Sequence, residues 1–323
     1  MSAGVSGLVE EAARVLGGRA RRDVPIGPLT TYRVGGSAEL WVEVASLDDL
    51  RAVSSAIETA SHLPVLVLGR GSNLLVADAG FPGLVVTLDA ETFATIEVLD
   101  GSDPCLVRAG GAVDLPVLAR QTAAQSLTGL EWAVGVPGSV GGAVRMNAGG
   151  HGSDTSERLV SCESFDLRTG TLDQMAGADL RFGYRQSAVE SHHVVVAATY
   201  RLDSGDHEQS EAAIREIVRW RREHQPGGQN AGSVFTNPPR DSAGRLIEAA
   251  GLKGYRVGSA MVSEKHANFI QADPGGSAND IVALMLEIQR VVAAHEGIEL
   301  HAEVKLAGFD PASTSTLHSG SAA

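Results

Sequence analysis

Apolar and polar residues alternate through "AELWVEVA" from Ala38, which predicts a half-buried strand, and Ser46–Asp49 ("SLDD") then fits a capping box that opens a helix. The run "LPVLVLG" predicts a buried strand ending in a Gly-rich turn. "GLVVTL", "TFATIEVLD" and "CLVRAGG" continue a strand-rich stretch, Asp114 and Pro116 open a helix in "DLPVLARQTAAQ", and "VVVAATYRL" closes the region near Leu202. Beyond the polar "DSGDHEQS" the period becomes helical. "EAAIREIVRWRREH" carries Ile214, Ile217 and Val218 on one face. "NDIVALMLEIQRVVAAHEG" carries Ile281, Leu284, Ile288 and Val291, with Gly297 as its C-terminal cap. In "IELHAEVKLAG", Ile298, Leu300, Ala302, Val304 and Leu306 face one way, and Glu299, His301, Glu303 and Lys305 the other. A short helical pattern precedes all of this, and no internal repeat is present. The class is α+β, with two small domains before residue 203 and one after it.

Composition narrows the function. Acidic residues outnumber basic ones 39 to 26, which argues against general nucleic-acid binding, since that depends on basic surface. A phosphate-bearing ligand must instead be held by local backbone amides and a few placed cations. Cys105 and Cys162 form neither a disulfide framework nor a metal-type spacing, and suit a reducing compartment. The N-terminus lacks the apolar core of a signal peptide and no apolar run is long enough to span a bilayer, so a cytoplasmic protein without membrane partners is expected.

Two glycine-rich runs carry the candidate chemistry. Gly135–Gly152 holds seven glycines in eighteen residues, an entropic cost that implies backbone passing close to something bulky or presenting its N–H groups. "LGRGSNLLV" follows a buried strand, but Leu74 stands where a dinucleotide fingerprint needs glycine and no helix pattern follows. Neither run is a P-loop, and Pro137 excludes a nucleophile elbow at Ser139. Gly71, Ser72 and Asn73 can form an anion-binding nest, although a surface turn also fits those residues alone. Read together, the two runs predict a loop-lined site for a pyrophosphate-containing cofactor.

With "TTYRVGGSAELWV", "LGRGSNLLV", "GLEWAVGVPGSVGGAVRMNAGGHG", "FGYRQS", "AGSVFTNP", "AAGLKG", "SEKHANFI" and "AEVKLAG" in that order, the chain resembles the UDP-N-acetylenolpyruvoylglucosamine reductase family from about Thr30 to Gly308. The resemblance implies a vanillyl-alcohol-oxidase-type fold: an N-terminal helical segment over 1–22, FAD-binding subdomains over 23–90 and 91–203, a substrate-binding domain over 204–309 and a disordered tail over 310–323. It implies bound FAD, NADPH as hydride donor and a monomer or weak dimer acting on a small-molecule substrate. Cofactor contacts are then expected at Tyr32, Arg33, Val34, Gly69, Arg70, Gly71, Ser72, Asn73, Leu74, Gly135, Val136, Pro137, Gly138, Ser139, Gly141, Gly142, Ala143 and Asn147. The chain resembles the branch that lacks a substrate-covering tyrosine loop. Thr236 stands where the family commonly has Lys, and "GGHG" puts His151 where it has an aromatic.

By motif position, Arg185 would clamp the enolpyruvyl carboxylate, Ser233 would donate a proton and Glu303 would polarise the intermediate or assist protonation. A guanidinium suits the clamp because it binds carboxylate bidentately, though a surface ion pair also fits a lone Arg. Ser233 equally fits a turn cap, and Glu303 a solvated strand face. Tyr184 and Asn237 match substrate contacts. Arg219, Arg221 and Arg222 could meet a diphosphate or form a solvated helix face. No metal site is expected, because the histidines show no ligand spacing and the adjacent His192 and His193 would point to opposite faces if they lie in a strand. Two other readings stand beside the reductase: an alcohol or sugar oxidase of the same fold, and a non-catalytic regulator that binds flavin or a UDP-sugar.

Overall fold

The structure, a computed structural model, describes residues 2–100 and 103–318. The chain forms two compact units: Met1–Arg22, Leu40–Arg70 and Pro82–Arg221 in the first; Asp23–Glu39, Gly71–Phe81 and Arg222–Ala323 in the second. Residues 23–39 and 71–81, expected with the first cofactor subdomain, thus belong with the C-terminal part. Their burial explains this, because Tyr32, Val34 and Leu75 enter the same core as Leu246, Ile281 and Val304. Likewise most of the helix His207–His224 belongs to the first unit, with Ile214 buried in that unit's core.

A sheet ordered Ala20–Pro25, Ser37–Val44, Phe81–Leu88, Val65–Val67, most of whose residues belong to the first unit, ends in a parallel pair with Val65 opposite Leu84. The helices Ser2–Leu16 and Leu47–Thr59 bury Val9, Leu50 and Val53 in one core with Leu40 and Val42 of that sheet. The second helix starts where the sequence says it should, with Ser46 Oγ accepting from the Asp49 N–H. A second, antiparallel sheet runs Thr171–Ala176, Leu159–Asp166, His193–Ser204, Cys105–Gly110, Ile96–Asp100. Its central strand is buried on both faces, which explains the unbroken "VVVAA": Val194 and Val196 join one core while Val195, Ala198 and Tyr200 join the other.

In the second unit, three short strands, Arg256–Val257, Ala260–Val262 and Ile270–Ala272, accompany the helix Ala278–Glu296. Ser277 caps that helix at its start, and Gly297 takes φ 67° at its end. Leu74–Val76 pairs in parallel with Lys305–Ala307. Of the strand expected through 298–308 only Lys305–Ala307 forms, with Ala302 bridged singly to Phe235, but the alternation in burial is present: Leu300, Ala302 and Val304 are buried, His301 and Glu303 half-buried, and Glu299 and Lys305 exposed. The tail, expected to be disordered, instead forms a helix over Pro311–His318 as far as it is described; residues 319–323 lie outside the described residues. That helix is held because Leu317 is fully buried in the core and its carbonyl accepts from the Ala302 N–H. No described helix is long and apolar enough to cross a membrane.

Candidate functional site

Within the first unit the two glycine-rich runs meet. A Cβ on Gly69 would lie 2.5 Å from Ser139 Oγ, so only glycine permits this approach without displacing Ser139. Asp114 bridges to Ser139 through the backbone and pairs with Arg70, with Nε to Oδ1 at 3.0 Å. The longer run, expected as a loop, contains the helix Val140–Met146, which forms because Ser139 Oγ accepts from the Gly142 N–H and Val140, Ala143 and Val144 are buried. Several glycines answer to protein neighbours. A Cβ on Gly141 would press on the Val195 and Gly111 carbonyls at 3.1 and 3.2 Å, and one on Gly135 would touch the His151 ring. Gly142 and Gly150 are open, the latter with nothing nearer than Val136 Cγ2 at 4.0 Å, and Val136, Pro137 and Gly138 are not buried.

The segment carrying Arg185 is hooked onto this run at three points. Ser187 Oγ donates to the Arg145 carbonyl (2.8 Å), Asn147 Nδ2 to the Gly183 carbonyl (3.1 Å) and Arg185 itself to the Gly149 carbonyl (3.3 Å). Arg185 adopts φ 55°, a left-handed conformation that this tethering sustains. Its guanidinium lies 5.0 Å from the ring centroid of the exposed Tyr184. Asn147 turns its side chain to protein partners. Its side chain is spent on Asp154, Gly183 and the Ser156 N–H, so only its main chain is available to a cofactor.

The second unit joins two other expected residues, Asn73 and Glu303, in one hydrogen-bonded assembly. Asn73 Nδ2 donates to the Glu303 carbonyl (3.3 Å), the Glu303 N–H to the Val234 carbonyl (2.8 Å) and the Lys305 N–H to the Asn73 carbonyl (3.1 Å). Ser233 therefore sits next to a residue bonded to Glu303. Asn268, buried and missed in the sequence, clamps the same loop: its carbonyl accepts from the Val234 N–H, while its side chain accepts from the Phe235 N–H (3.0 Å) and donates to the Phe235 carbonyl (2.8 Å). Gly71 is buried with φ 57°, and none of the N–H groups of Gly71, Ser72 and Asn73 donates to a protein acceptor among the described residues. Three adjacent amides without protein acceptors are compatible with the anion-binding nest expected from the sequence. Tyr32, Val34 and Leu74 are core side chains, which leaves only their main chains for a ligand, whereas Arg33 is exposed.

Ser233, Asn237, Arg245, Lys265, His266 and Asn268 line a cavity of about 350 Å³ in the second unit, large enough for part of a polar ligand. Asn237 Oδ1 accepts from the Ala243 N–H. Thr236, in the place of a common Lys, turns its hydroxyl to the His301 carbonyl, and the cations of this cavity are Arg245 and Lys265 instead. His266 is held below its ordinary pKa by burial, with the Lys253 charge adding to the effect.

On the helix His207–His224, Arg219 pairs with Glu216, Arg222 is exposed and Arg221 is half-buried. His151 packs edge-on against Trp220, centroids 5.1 Å apart, and burial with the Arg221 charge lowers its pKa. Arg145, half-buried in the glycine-run helix and held below its ordinary pKa by burial, was not singled out from the sequence. His192 and His193 do not lie together in a strand. Only His193 belongs to a strand; His192 lies in the preceding turn, and both rings approach Asp166.

Family profiles match an FAD binding domain over residues 38–175 and the C-terminal domain of UDP-N-acetylenolpyruvoylglucosamine reductase over 224–307. The chain is 44% identical over 297 residues to UDP-N-acetylenolpyruvoylglucosamine reductase 2 of Symbiobacterium thermophilum, covering 91% of this chain and 94% of that one. It is 42% identical over 301 residues to the reductase of a Synechococcus strain, with the same coverage. Among solved structures, the reductase from Thermus caldophilus superposes with a TM-score of 0.76 at 35% identity, covering 90% of this chain and 99% of that one.

Proposed function

Since the chain belongs to the UDP-N-acetylenolpyruvoylglucosamine reductase family, we propose how its own residues carry that family's reaction. The protein is an FAD-containing oxidoreductase that uses NADPH to reduce the enolpyruvyl ether of UDP-N-acetylglucosamine to UDP-N-acetylmuramic acid, in peptidoglycan precursor synthesis. The residues fit the cofactor: open amides at Gly71, Ser72 and Asn73 suit a pyrophosphate, and the close approach of Gly69 to Ser139 leaves backbone without side chains. Gly142 and Gly150 add further open backbone. When bound, FAD supplies the hydride that it takes from NADPH and passes to the methylene carbon of the substrate.

The protein's part is orientation, charge stabilisation and a proton. Arg185, held by the Gly149 carbonyl, binds the substrate carboxylate and stabilises the negative charge that develops beside it. Ser233 gives its hydroxyl proton to the carbon adjacent to that carboxylate. A serine is a weak acid, so the transfer depends on alignment, which Asn268 enforces by fixing Val234 and Phe235. Glu303 polarises the intermediate or assists protonation. Tyr184 and Asn237 contact substrate, while Arg245 and Lys265 supply positive charge to the cavity they share with Ser233.

The observation that carries this reading is the bonded assembly of Asn73, Glu303 and Val234, which ties a residue of the first glycine run to both proposed proton-handling residues. The C-terminal domain match sets aside the alcohol or sugar oxidase. The protein acts in the cytoplasm as a monomer or weak dimer, and its product supports cell-wall growth, cell shape and division. Ser233→Ala tests the proton assignment. Flavin reduction by NADPH should stay unchanged while turnover falls about a hundredfold or more, the usual contribution of a placed general acid. Turnover within a few fold of the unmodified enzyme would remove Ser233 from the mechanism.

A further inference from the structure

Among the described residues, one group of potential metal ligands lies apart from everything above: Asp166, His192 and His193 in the first unit. Asp166 ends one strand, His193 begins its antiparallel neighbour, and the two are register partners. The Leu167 N–H donates to the His192 carbonyl (3.0 Å), which brings the turn residue alongside. The two rings stack at 4.3 Å with a 35° tilt and aim Nε2 at one carboxylate: His192 at Oδ1 (3.8 Å) and His193 at Oδ2 (4.0 Å).

These separations are too long for hydrogen bonds. They are nevertheless within reach of a single ion, because bonds of about 2.0–2.1 Å to nitrogen and oxygen span donors up to roughly 4.2 Å apart. All the ligand atoms lie within 4.8 Å of one another, so the widest pair must close by at most about 0.6 Å around one ion. Behind His192, Glu190 Oε2 stands 3.7 Å from Nδ1, a buried atom with no hydrogen-bond partner among the described residues. A carboxylate at the far nitrogen of an imidazole is the arrangement that orients a metal-binding ring and strengthens it as a ligand.

We propose that Asp166, His192 and His193 bind one borderline divalent cation of the zinc class, clipping together the ends of two adjacent strands. Two imidazoles and one carboxylate suit zinc, cobalt or nickel better than magnesium or calcium, which prefer oxygen donors. His192 and Asp166 are the primary pair. His193 Nδ1 accepts from the Glu190 N–H (3.0 Å), so His193 must exchange that bond for a proton on Nδ1 before Nε2 can ligate. Asp166 and Glu190 face the His192 ring as anions and Arg168 as a cation. The site is separate from the reductase chemistry, so reductase turnover serves as the folding control.

The test titrates zinc, and then cobalt(II), into the full-length FAD-loaded enzyme, alongside His192→Gln and Asp166→Asn. The unmodified enzyme should take up one more zinc than either variant, or bind it at least about tenfold more tightly, the usual penalty for damaging such a site. It should also rise in thermal midpoint with zinc where the variants do not, and show the visible cobalt band of a low-symmetry nitrogen–oxygen site. Equal uptake and equal thermal shift in all three, or no uptake by the unmodified enzyme, would overturn the proposal. Flavin content and turnover unchanged in the variants show that any lost uptake comes from the site; if one variant misfolds, the other decides.

Discussion

Replacing Asn268 with alanine strikes the support of Ser233 without touching Ser233. Asn268 is 3% exposed, and its side chain acts as a one-residue strand against Phe235, taking the N–H at 3.0 Å and giving to the carbonyl at 2.8 Å. The other side of this loop is bonded elsewhere, with the Glu303 N–H on the Val234 carbonyl and the Thr236 N–H on the His301 carbonyl, so nothing else is placed to satisfy Phe235. Asn268→Ala leaves one buried donor and one buried acceptor unpaired. At about 1–3 kcal/mol each, partly relieved by entering water, the loss should total about 2–4 kcal/mol. The Asn268 carbonyl still takes the Val234 N–H, so the loop loosens without detaching. In urea titrations the midpoint should fall with an unchanged slope, and turnover should drop with flavin reduction by NADPH intact. Asn268→Asp should be equally damaging at neutral pH, because a carboxylate oxygen then faces the Phe235 carbonyl, and should recover in acid as that carboxyl becomes a donor. An Asn268→Ala enzyme with the original midpoint and turnover would refute the reasoning.

Four further outcomes follow from the same geometry. Asp78 accepts from Ser277 Oγ (2.5 Å), the Ala278 N–H (2.8 Å) and the Asn279 N–H (3.1 Å), so Asp78→Ala should cost about 1–2 kcal/mol in urea as the long helix loses the acceptor that supplements its Ser277 cap. Gly69→Ala must push Ser139 Oγ off the Gly142 N–H, and should weaken FAD retention about tenfold or more on dilution. Arg185→Lys should retain less than about a tenth of kcat/KM, since an ammonium replaces a two-pronged donor; near-normal kcat/KM would mean that the guanidinium is not the carboxylate clamp. Burial pushes the Glu131 pKa up, but bonds from Ser210, Thr128 and the Gly129 N–H outweigh it and leave the value below the ordinary 4.5. A carboxylate depressed in the folded state stabilises fully above its unfolded pKa and loses that contribution as pH falls through the folded one. The stability gap between the enzyme and Glu131→Gln should therefore be full at neutral pH and close below about pH 4.5, whereas a gap independent of pH would remove the charge from the account.

The features legible in the sequence are those governed by near neighbours. The Ser46–Asp49 cap and the Gly297 cap each depend on a few residues and are found as read, and the alternation through Leu300, Ala302 and Val304 holds although only Lys305–Ala307 forms a strand. Features that depend on distant partners were not legible. Asp78 caps a helix 200 residues away, Tyr32 and Leu75 pack with a C-terminal core, and Leu317 holds a tail that by composition looks unstructured. Glycine content alone could not separate backbone exposed to a ligand from backbone packed on protein; Gly141 serves the second purpose and Gly142 is open. At the site, Arg185, Ser233 and Glu303 were reachable by motif. The Asn268 clamp was invisible because an Asn between Ala and Phe carries no signal of what it binds. The His192–His193 pair misled because period-two reasoning assumed a strand that begins one residue later.

The most direct test of the central claim is an anaerobic absorbance experiment on the purified protein, adding NADPH and then the UDP-enolpyruvyl sugar. The account predicts a flavin band that bleaches with NADPH and returns when the sugar is added, with UDP-N-acetylmuramic acid as the product. Bleaching without recovery would contradict the substrate assignment, and a colourless protein that takes up no added FAD would contradict the reading of both glycine-rich runs.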